Sequence, residues 1–105
     1  MLEDLGYEVD IADDGDEAFQ KYLQSKESNL QYLFAIMDLT IPGKRGGKDT
    51  IALIRDIDNE FKVIVSSGYS NDPIMSNYYQ YGFNGILPKP YRFDDLKRII
   101  MEIQS

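Results

Sequence analysis

Three residues with complementary chemistry each follow a short apolar run of this chain. Asp38, Ser67 and Lys89 all lie within two residues of the end of such a run. A carboxylate can act as a nucleophile or as a metal ligand, a hydroxyl can donate a hydrogen bond to an anionic oxygen, and a lysine ammonium can balance negative charge that arrives on the carboxylate. If the three side chains converge, they have the chemistry that an acyl phosphate site requires.

The apolar runs themselves are typical of strands in a parallel sheet. They occupy residues 33–37, 61–65 and 85–87, and segments of helical period separate them. The run at 33–37 is continuous, which predicts a strand buried on both faces. In open α/β sheets, ligands bind at the carboxyl ends of the strands. We therefore expect the three polar residues to meet at one edge of the sheet.

Short strands and amphipathic helices alternate along the whole chain, with no linker or internal repeat, which predicts one domain over residues 1–105. In order, the predicted elements are a helix tail at residues 1–5, an edge strand at 7–12, a helix from 15 to about 26, a strand at 33–37, a helix from about 48, a strand at 61–65, a helix from 73 that stops at 82, a strand at 85–87 and a helix at about 92–103. With right-handed crossovers, this order predicts a three-layer α/β/α sandwich with a flavodoxin-like, doubly wound parallel sheet.

Composition excludes several classes of function. Eleven basic and eighteen acidic residues give a net charge of −7, which argues against nucleic acid or an anionic membrane as a partner. The chain contains no Cys and no His, so disulfides, thiolate zinc sites and histidine-based catalysis are excluded on this sequence. The absence of Cys fits a cytoplasmic location, and no apolar stretch is long enough to span a bilayer.

Three motifs resemble those of the receiver domains of two-component response regulators. Asp-Leu-Thr-Ile-Pro-Gly at residues 38–43 is similar to the phosphoacceptor loop of that family, Ser-Ser-Gly-Tyr at 66–69 to its switch-hydroxyl segment, and Lys-Pro-Tyr at 89–91 to its lysine segment. The phrases at 46–48 and 66–73 are particularly similar to receivers attached to hybrid sensor kinases. The resemblance covers essentially the whole chain.

The resemblance implies a phosphorelay function and a role for each site residue. Asp38 would accept a phosphoryl group from a histidine kinase or a histidine phosphotransfer domain, and Mg²⁺ would bridge the carboxylate and the phosphoryl oxygens. The backbone carbonyl of Thr40 would be a further metal ligand, Ser67 would bond the phosphoryl group, and Lys89 would pair with it. The peptide bond between Lys89 and Pro90 would be cis.

The sequence departs from the family pattern at two points. The acidic metal-binding pair of the family follows its first strand, and counting back from Asp38 places that pair before Met1, so we expect the first strand of the order 2-1-3-4-5 and the acidic pair to be missing. Asp13 and Asp14 follow the second strand instead, and Asp14 is interpreted as a helix N-cap. Ile86 occupies a position where many receivers have an aromatic residue that swings inward on activation, and Ile cannot make that movement.

The expected function is that of an N-terminally incomplete phosphoacceptor domain that signals by conformational change, and not that of an enzyme with a separate substrate. An alternative is a degenerate receiver that serves only as a protein-interaction module. A flavodoxin-like binder of small molecules is a third hypothesis, but the sequence lacks a Gly-rich phosphate loop after the first visible strand. The sequence does not indicate the cognate kinase, the output or whether the domain dimerises. Without the first strand, residues 1–105 are not expected to form a well-packed monomer with an empty slot in the sheet.

Overall fold

The computed structural model of the chain describes residues 5–7, 15–28, 32–38, 47–68 and 73–104. The elements are α1 (Gly15–Glu27), β1 (Phe34–Asp38), α2 (Gly47–Ile57), β2 (Lys62–Ser67), α3 (Pro73–Ser76), α4 (Tyr78–Tyr81), β3 (Gly85–Pro88) and α5 (Phe93–Gln104). Within this part of the chain, no helix is long and apolar enough to cross a membrane.

The strands form a parallel three-stranded sheet in the order β1-β2-β3. This order matches the consecutive last three strands of the predicted sheet. Of the predicted edge strand at 7–12, only Tyr7 lies among the described residues. Its ring packs edge-on against Phe34, with ring centroids 5.3 Å apart, and Gly6 before it adopts a φ of 89°, as expected for the residue that stops a helix.

The central strand β2 is the most deeply buried element of the sheet. Val63, Ile64 and Val65 are inaccessible to solvent, because β2 has a strand on either side and helices on both faces. The prediction that the run at 33–37 is buried on both faces is wrong in degree. All five residues of β1 are only half-buried, although their side chains pack against apolar residues on both faces of the sheet. Leu33 is 67% exposed and precedes the strand.

Two apolar clusters cover the two faces of the sheet and create the three layers. One cluster joins the sheet to α2, α3 and the turn before β3 through Ile51, Val63, Val65, Met75 and Phe83. The other joins the opposite face to α5 through Ile64, Leu87, Leu96, Ile100 and Ile103. Because adjacent residues of β2 belong to different clusters, the alternation of strand side chains places one helical layer on each face. The predicted α/β sandwich is confirmed.

The spacing of the apolar residues predicts one buried face on the last helix, formed by Phe93, Leu96, Ile99, Ile100 and Ile103. Leu96, Ile100 and Ile103 are buried as expected, whereas Phe93 is 37% exposed. Phe93 is the first residue of the helix and lies at its end, where the neighbouring layer no longer covers the side chain. The helix start is closed by the Arg92 amide, which donates a hydrogen bond to Asp95 Oδ2 (3.0 Å) in one arm of a capping box.

The single helix predicted from residue 73 to Gly82 is divided in two. Asn77 separates α3 from α4 and has φ −123° and ψ 36°, outside the helical region. Gly82 ends the second piece as predicted. Its φ of 105° is left-handed, and an added Cβ there would lie 3.1 Å from Arg55 Cγ. Glycine is therefore favoured at this position by both backbone conformation and space. The predicted capping residues before Pro73 lie outside the described residues.

A polar contact at the amino-terminal end of the sheet ties α1 to the end of α2. The carboxylate of Asp58 accepts hydrogen bonds from the Glu60 and Phe61 amides (2.8 and 3.2 Å) and from the Tyr22 hydroxyl (2.9 Å), and Lys26 Nζ lies 3.2 Å from it. The Glu60 amide, followed by Tyr22 and Lys26, lowers the pKa of Asp58 to about 2. These bonds favour the charged carboxylate.

We predict that Asp58→Asn weakens the fold in a pH-dependent way. The pKa of Asp58 falls from 3.8 to about 2 on folding, so its contribution is present above about pH 4 and is lost as the pH falls toward 2. At neutral pH the variant should lose about 1 kcal/mol of unfolding free energy, a value reduced for the partial exposure of the group. Urea unfolding at several pH values measures this loss.

Asp56→Asn is the matched control for that experiment, because Asp56 is an exposed carboxylate on α2, two residues before Asp58. The control should follow the parent protein at every pH. If the difference between Asp58→Asn and the parent is the same at about pH 2 as at neutral pH, the contribution of the charged carboxylate is refuted.

Candidate functional site

The register of the sheet brings the ends of its three strands to one edge. Asp38 is the last residue of β1 and is paired with Ser66, while Ser67, the last residue of β2, is paired with Pro88. Lys89 follows Pro88 directly. Because all strands run in the same direction, the three residues singled out from the sequence lie at the carboxyl edge, where open α/β sheets bind ligands.

At this edge the structure joins Asp38 and Lys89 in an ion pair. The ammonium Nζ of Lys89 donates a hydrogen bond to Oδ2 of Asp38. Their side chains are 35% and 23% exposed for Lys89 and Asp38, so each is partly removed from water and still accessible from solution. An ion pair in this position leaves the carboxylate reachable by a reactant while an ammonium already balances its charge.

Ser67 is linked to Lys89 through the backbone. The Lys89 amide donates a hydrogen bond to the Ser67 carbonyl (2.9 Å), and Ser67 is 1% exposed. A Cβ added at Gly68 would lie 4.0 Å from Lys89 Cβ, an ordinary contact distance, so the chain leaving β2 runs alongside Lys89. The peptide bond between Lys89 and Pro90 is cis, as the family resemblance implied.

The neighbouring Ser66 has a structural role that differs from that expected of Ser67. Its hydroxyl donates a hydrogen bond to the Leu87 carbonyl (2.7 Å), and the side chain is buried. This bond adds a side-chain link between β2 and β3 one residue before the site. Ser66 therefore helps to hold together the strands that lead to Ser67 and Lys89.

The metal ligands expected from the sequence are only partly among the described residues. Thr40, Asp13 and Asp14 lie outside them. Within the described ranges, no group of three or more acidic side chains could hold a metal ion. Asp38 offers the hard carboxylate oxygen that Mg²⁺ prefers. Among the described residues, Asp38 would therefore be the acidic ligand of a magnesium site.

Ile86 lies on β3 close to this edge. It is half-buried and packs against the apolar cluster that also contains Met75 and Phe83, as does Tyr78 of α4. The aliphatic side chain is thus part of the core packing between β3 and the helices before it. The helical spacing of Tyr78 and Tyr81 predicts that both are packing residues, and both are partly buried against the same cluster.

Two features of the described residues were not anticipated from the sequence. An open groove of about 770 Å³ runs along β3 between α4 and α5, and Tyr78, Ile86, Arg98 and Glu102 contribute to its lining. At the other end of the sheet, Arg55 contacts the turn that leads into β3. Both features depend on residues far apart in the chain, so no local pattern indicates them.

Comparisons with known proteins agree with this arrangement. The family model of the response regulator receiver domain matches residues 1–101. The chain is 31% identical over 101 residues to Transcription factor SKN7 of Saccharomyces cerevisiae, covering 96% of this chain and 15% of SKN7. The chain therefore spans a small part of that relative's length.

Two solved structures have the same fold and sequence identities of 26% and 28% to this chain. The receiver domain of sensor histidine kinase PA1611 from Pseudomonas aeruginosa PAO1, which has a magnesium ion coordinated in its active site cleft, is 26% identical with a TM-score of 0.80, covering 99% of this chain and 83% of that chain. The response regulator protein TrrA from Thermotoga maritima, in complex with Mg²⁺-BeF, is 28% identical with a TM-score of 0.79, covering 97% and 82%. The match of the family model over residues 1–101, together with these relatives, shows that the chain belongs to the response regulator receiver domain family.

Proposed function

We propose that Asp38 is the phosphoacceptor of this receiver domain in a two-component phosphorelay. The observation that carries the proposal is the ion pair between Asp38 and Lys89 at the carboxyl edge of the sheet. The pair holds a nucleophilic oxygen and a positive charge at the place where a phosphoryl group would arrive. The match to the receiver family supports the same assignment.

The proposed reaction moves the phosphoryl group from a nitrogen atom of the donor to an oxygen atom of Asp38. A carboxylate oxygen of Asp38 forms a bond to phosphorus while the bond between phosphorus and the imidazole nitrogen of the donor phosphohistidine breaks. The electron pair of that bond stays with the imidazole, which leaves as a neutral or protonated ring. The donor histidine must come from the partner, because this chain contains no histidine.

Lys89 and Ser67 are proposed to stabilise charge during and after the transfer. The reaction replaces a carboxylate by an acyl phosphate with more negative charge, so the Lys89 ammonium gains a stronger partner than it has in the resting state. The Ser67 hydroxyl can donate to a phosphoryl oxygen once its end of β2 turns toward the group. As in other phosphoryl transfers, positioning and charge stabilisation provide most of the catalysis.

Magnesium is proposed as the cofactor. When bound, Mg²⁺ supplies further positive charge next to the phosphoryl oxygens, and Asp38 and the carbonyl of Thr40 would hold it in this chain. The PA1611 receiver domain and TrrA contain magnesium, which supports this proposal by family relationship.

The proposal extends to the partner and the setting of the domain. The chain acts as a phosphoacceptor for a histidine kinase or a histidine phosphotransfer domain, and not as an enzyme on a separate substrate. A net charge of −7 disfavours direct contact with nucleic acid. A cytoplasmic location is consistent with a chain that has no cysteine.

A second candidate function is a degenerate receiver that only binds other proteins. The observation that favours it is the lack of an acidic cluster for a metal within the described part of the chain. The two functions are separated by whether Asp38 takes up phosphate.

We predict that Asp38→Asn abolishes phosphate uptake. The polypeptide as encoded by its gene is incubated with acetyl phosphate and Mg²⁺, and intact-mass spectrometry counts the phosphoryl groups. The parent should gain one group and the variant none, because an amide is a poor nucleophile. Asp56→Asn, an exposed acidic residue on α2, serves as the control and should behave as the parent. Equal uptake in Asp38→Asn and the parent would assign the phosphoryl group elsewhere, and no uptake by either protein would favour the interaction module.

We also predict that Lys89→Ala slows phosphorylation far more than it weakens the fold. Loss of one charge-assisted bond to the transferring group should reduce the rate about tenfold or more, while a partly exposed ion pair contributes at most about 1 kcal/mol to stability. The exposed Lys97 of α5 provides the control Lys97→Ala. Stopped-flow phosphorylation and urea unfolding are compared, and a loss of stability large enough to explain the slower rate would instead indicate a structural role.

A third prediction concerns the metal. Residues 1–105 alone should bind Mg²⁺ weakly, because one carboxylate and one carbonyl make a poor site for an ion that requires six oxygen ligands in octahedral geometry. Calorimetric titration measures this directly, with Asp38→Asn as the comparison. Tight, saturable binding by residues 1–105 that is lost in Asp38→Asn would show that this stretch already contains a complete site.

A further inference from the structure

Arg55 joins the end of α2 to the turn that leads into β3. Its Nε donates a hydrogen bond to the Gly82 carbonyl (2.8 Å), Nη2 donates to Asn84 Oδ1 (2.9 Å), and Nη1 donates to the Asp58 carbonyl (3.0 Å). Each of the three nitrogens of the planar guanidinium thus donates to a different acceptor. Such a set of bonds defines both the position and the orientation of the groups it contacts.

The contacts of Arg55 are partly shielded from solvent, and they connect to the central strand β2. Arg55 is half-buried, and desolvation lowers the pKa of its guanidinium, which indicates a setting where directed hydrogen bonds are stronger than in water. The side-chain Oδ1 of Asn84 accepts a second hydrogen bond, from the backbone amide of Val63 (2.8 Å). The backbone amide of Asn84 donates a hydrogen bond to the Val63 carbonyl (2.8 Å). The turn is therefore held to α2 and to β2 together.

Helix α4 is attached directly to this anchored turn. The Gly82 amide donates to the Tyr79 carbonyl (3.1 Å), and the Phe83 amide donates to the Tyr78 carbonyl (3.0 Å). Phe83 is 1% exposed and packs in the core. A movement of α4 would have to break these bonds or the contacts of Arg55.

Helix α3 lies on the other side of the break at Asn77 and has a different attachment. Met75 packs into the apolar cluster with Val65, and only residues 68–72 separate α3 from Ser67. Apolar contacts are non-directional and tolerate small displacements. The stretch between Ser67 and Gly82 thus has one end next to the phosphoacceptor site and the other end fixed by Arg55.

We propose that Arg55 is a positioning residue that anchors α4. Asn77 then acts as a hinge, so that a rearrangement that starts at Ser67 reaches α3 and ends at Asn77. Displacement is then confined to α3, and α4 keeps its place beside β3. The anchoring by Arg55 is a property of the resting protein, whereas the movement of α3 rests on the proposed phosphorylation of Asp38.

The anchor is tested in the resting protein by distances between spin labels. The chain has no cysteine, so introduced cysteines carry the labels at defined sites. The exposed residues Ala52 of α2, Ser76 of α3 and Gln80 of α4 provide the pairs 52–80 and 52–76. We expect Arg55→Ala to lose the single narrow 52–80 distance that the parent shows.

Two further variants make this result decisive. Arg98→Ala removes an exposed arginine from α5 and should leave both distances as in the parent. Arg55→Lys keeps the charge but not the planar set of donors, so it should also broaden the 52–80 distance and can be read if Arg55→Ala does not fold. An unchanged 52–80 distance in the folded Arg55 variants would overturn the anchor.

The hinge is tested by repeating the measurement after treatment with acetyl phosphate and Mg²⁺, with intact mass reporting the phosphoryl group. In the phosphorylated parent, the 52–76 distance should shift by about 2 Å while the 52–80 distance stays, and in the Arg55 variants both should shift. Equal shifts of both distances in the phosphorylated parent would overturn the hinge. If no phosphoryl group is found, the proposed function fails, and the comparison in the resting protein still decides whether Arg55 is the anchor.

Discussion

The ion pair between Asp38 and Lys89 is the interaction around which the functional edge of the sheet is built. A carboxylate and an ammonium that are each partly withdrawn from water stabilise each other, because each offsets part of the hydration that the other has lost. The two residues are 51 positions apart in the chain. They meet because β1 and β3 flank β2 in the same direction and all three strands end at one edge.

The central strand β2 provides the rigid frame for this meeting. Its buried valine and isoleucine side chains fix the two helical layers, and its last residues hold β3 through the Ser66 hydroxyl and the Ser67 carbonyl. Arg55 and Asn84 hold β3 at the opposite end. The strand that delivers Lys89 is thus fixed at both ends, while the segment after Ser67 leaves the sheet toward the divided helix.

Local periodicity predicted the described strands, the last helix and the stop at Gly82, because each depends on residues close in the chain. It also predicted that Asp38 and Lys89 would approach each other, since strand ends in a parallel sheet share an edge. It did not predict the break at Asn77, because the apolar spacing of the segment continues across it. The contacts of Arg55 are made 27 and 29 residues away, and no local pattern contains information about such partners.

Chemical identification of the phosphorylated residue decides whether the carboxylate of Asp38 carries the phosphoryl group. The protein is treated with acetyl phosphate and Mg²⁺ and then reduced with borohydride, which converts an aspartyl phosphate into homoserine. Peptide mass mapping then identifies the converted residue. We expect homoserine at position 38 and at no other acidic position. Homoserine at a different aspartate, or phosphate that survives reduction on a serine such as Ser67, would contradict it.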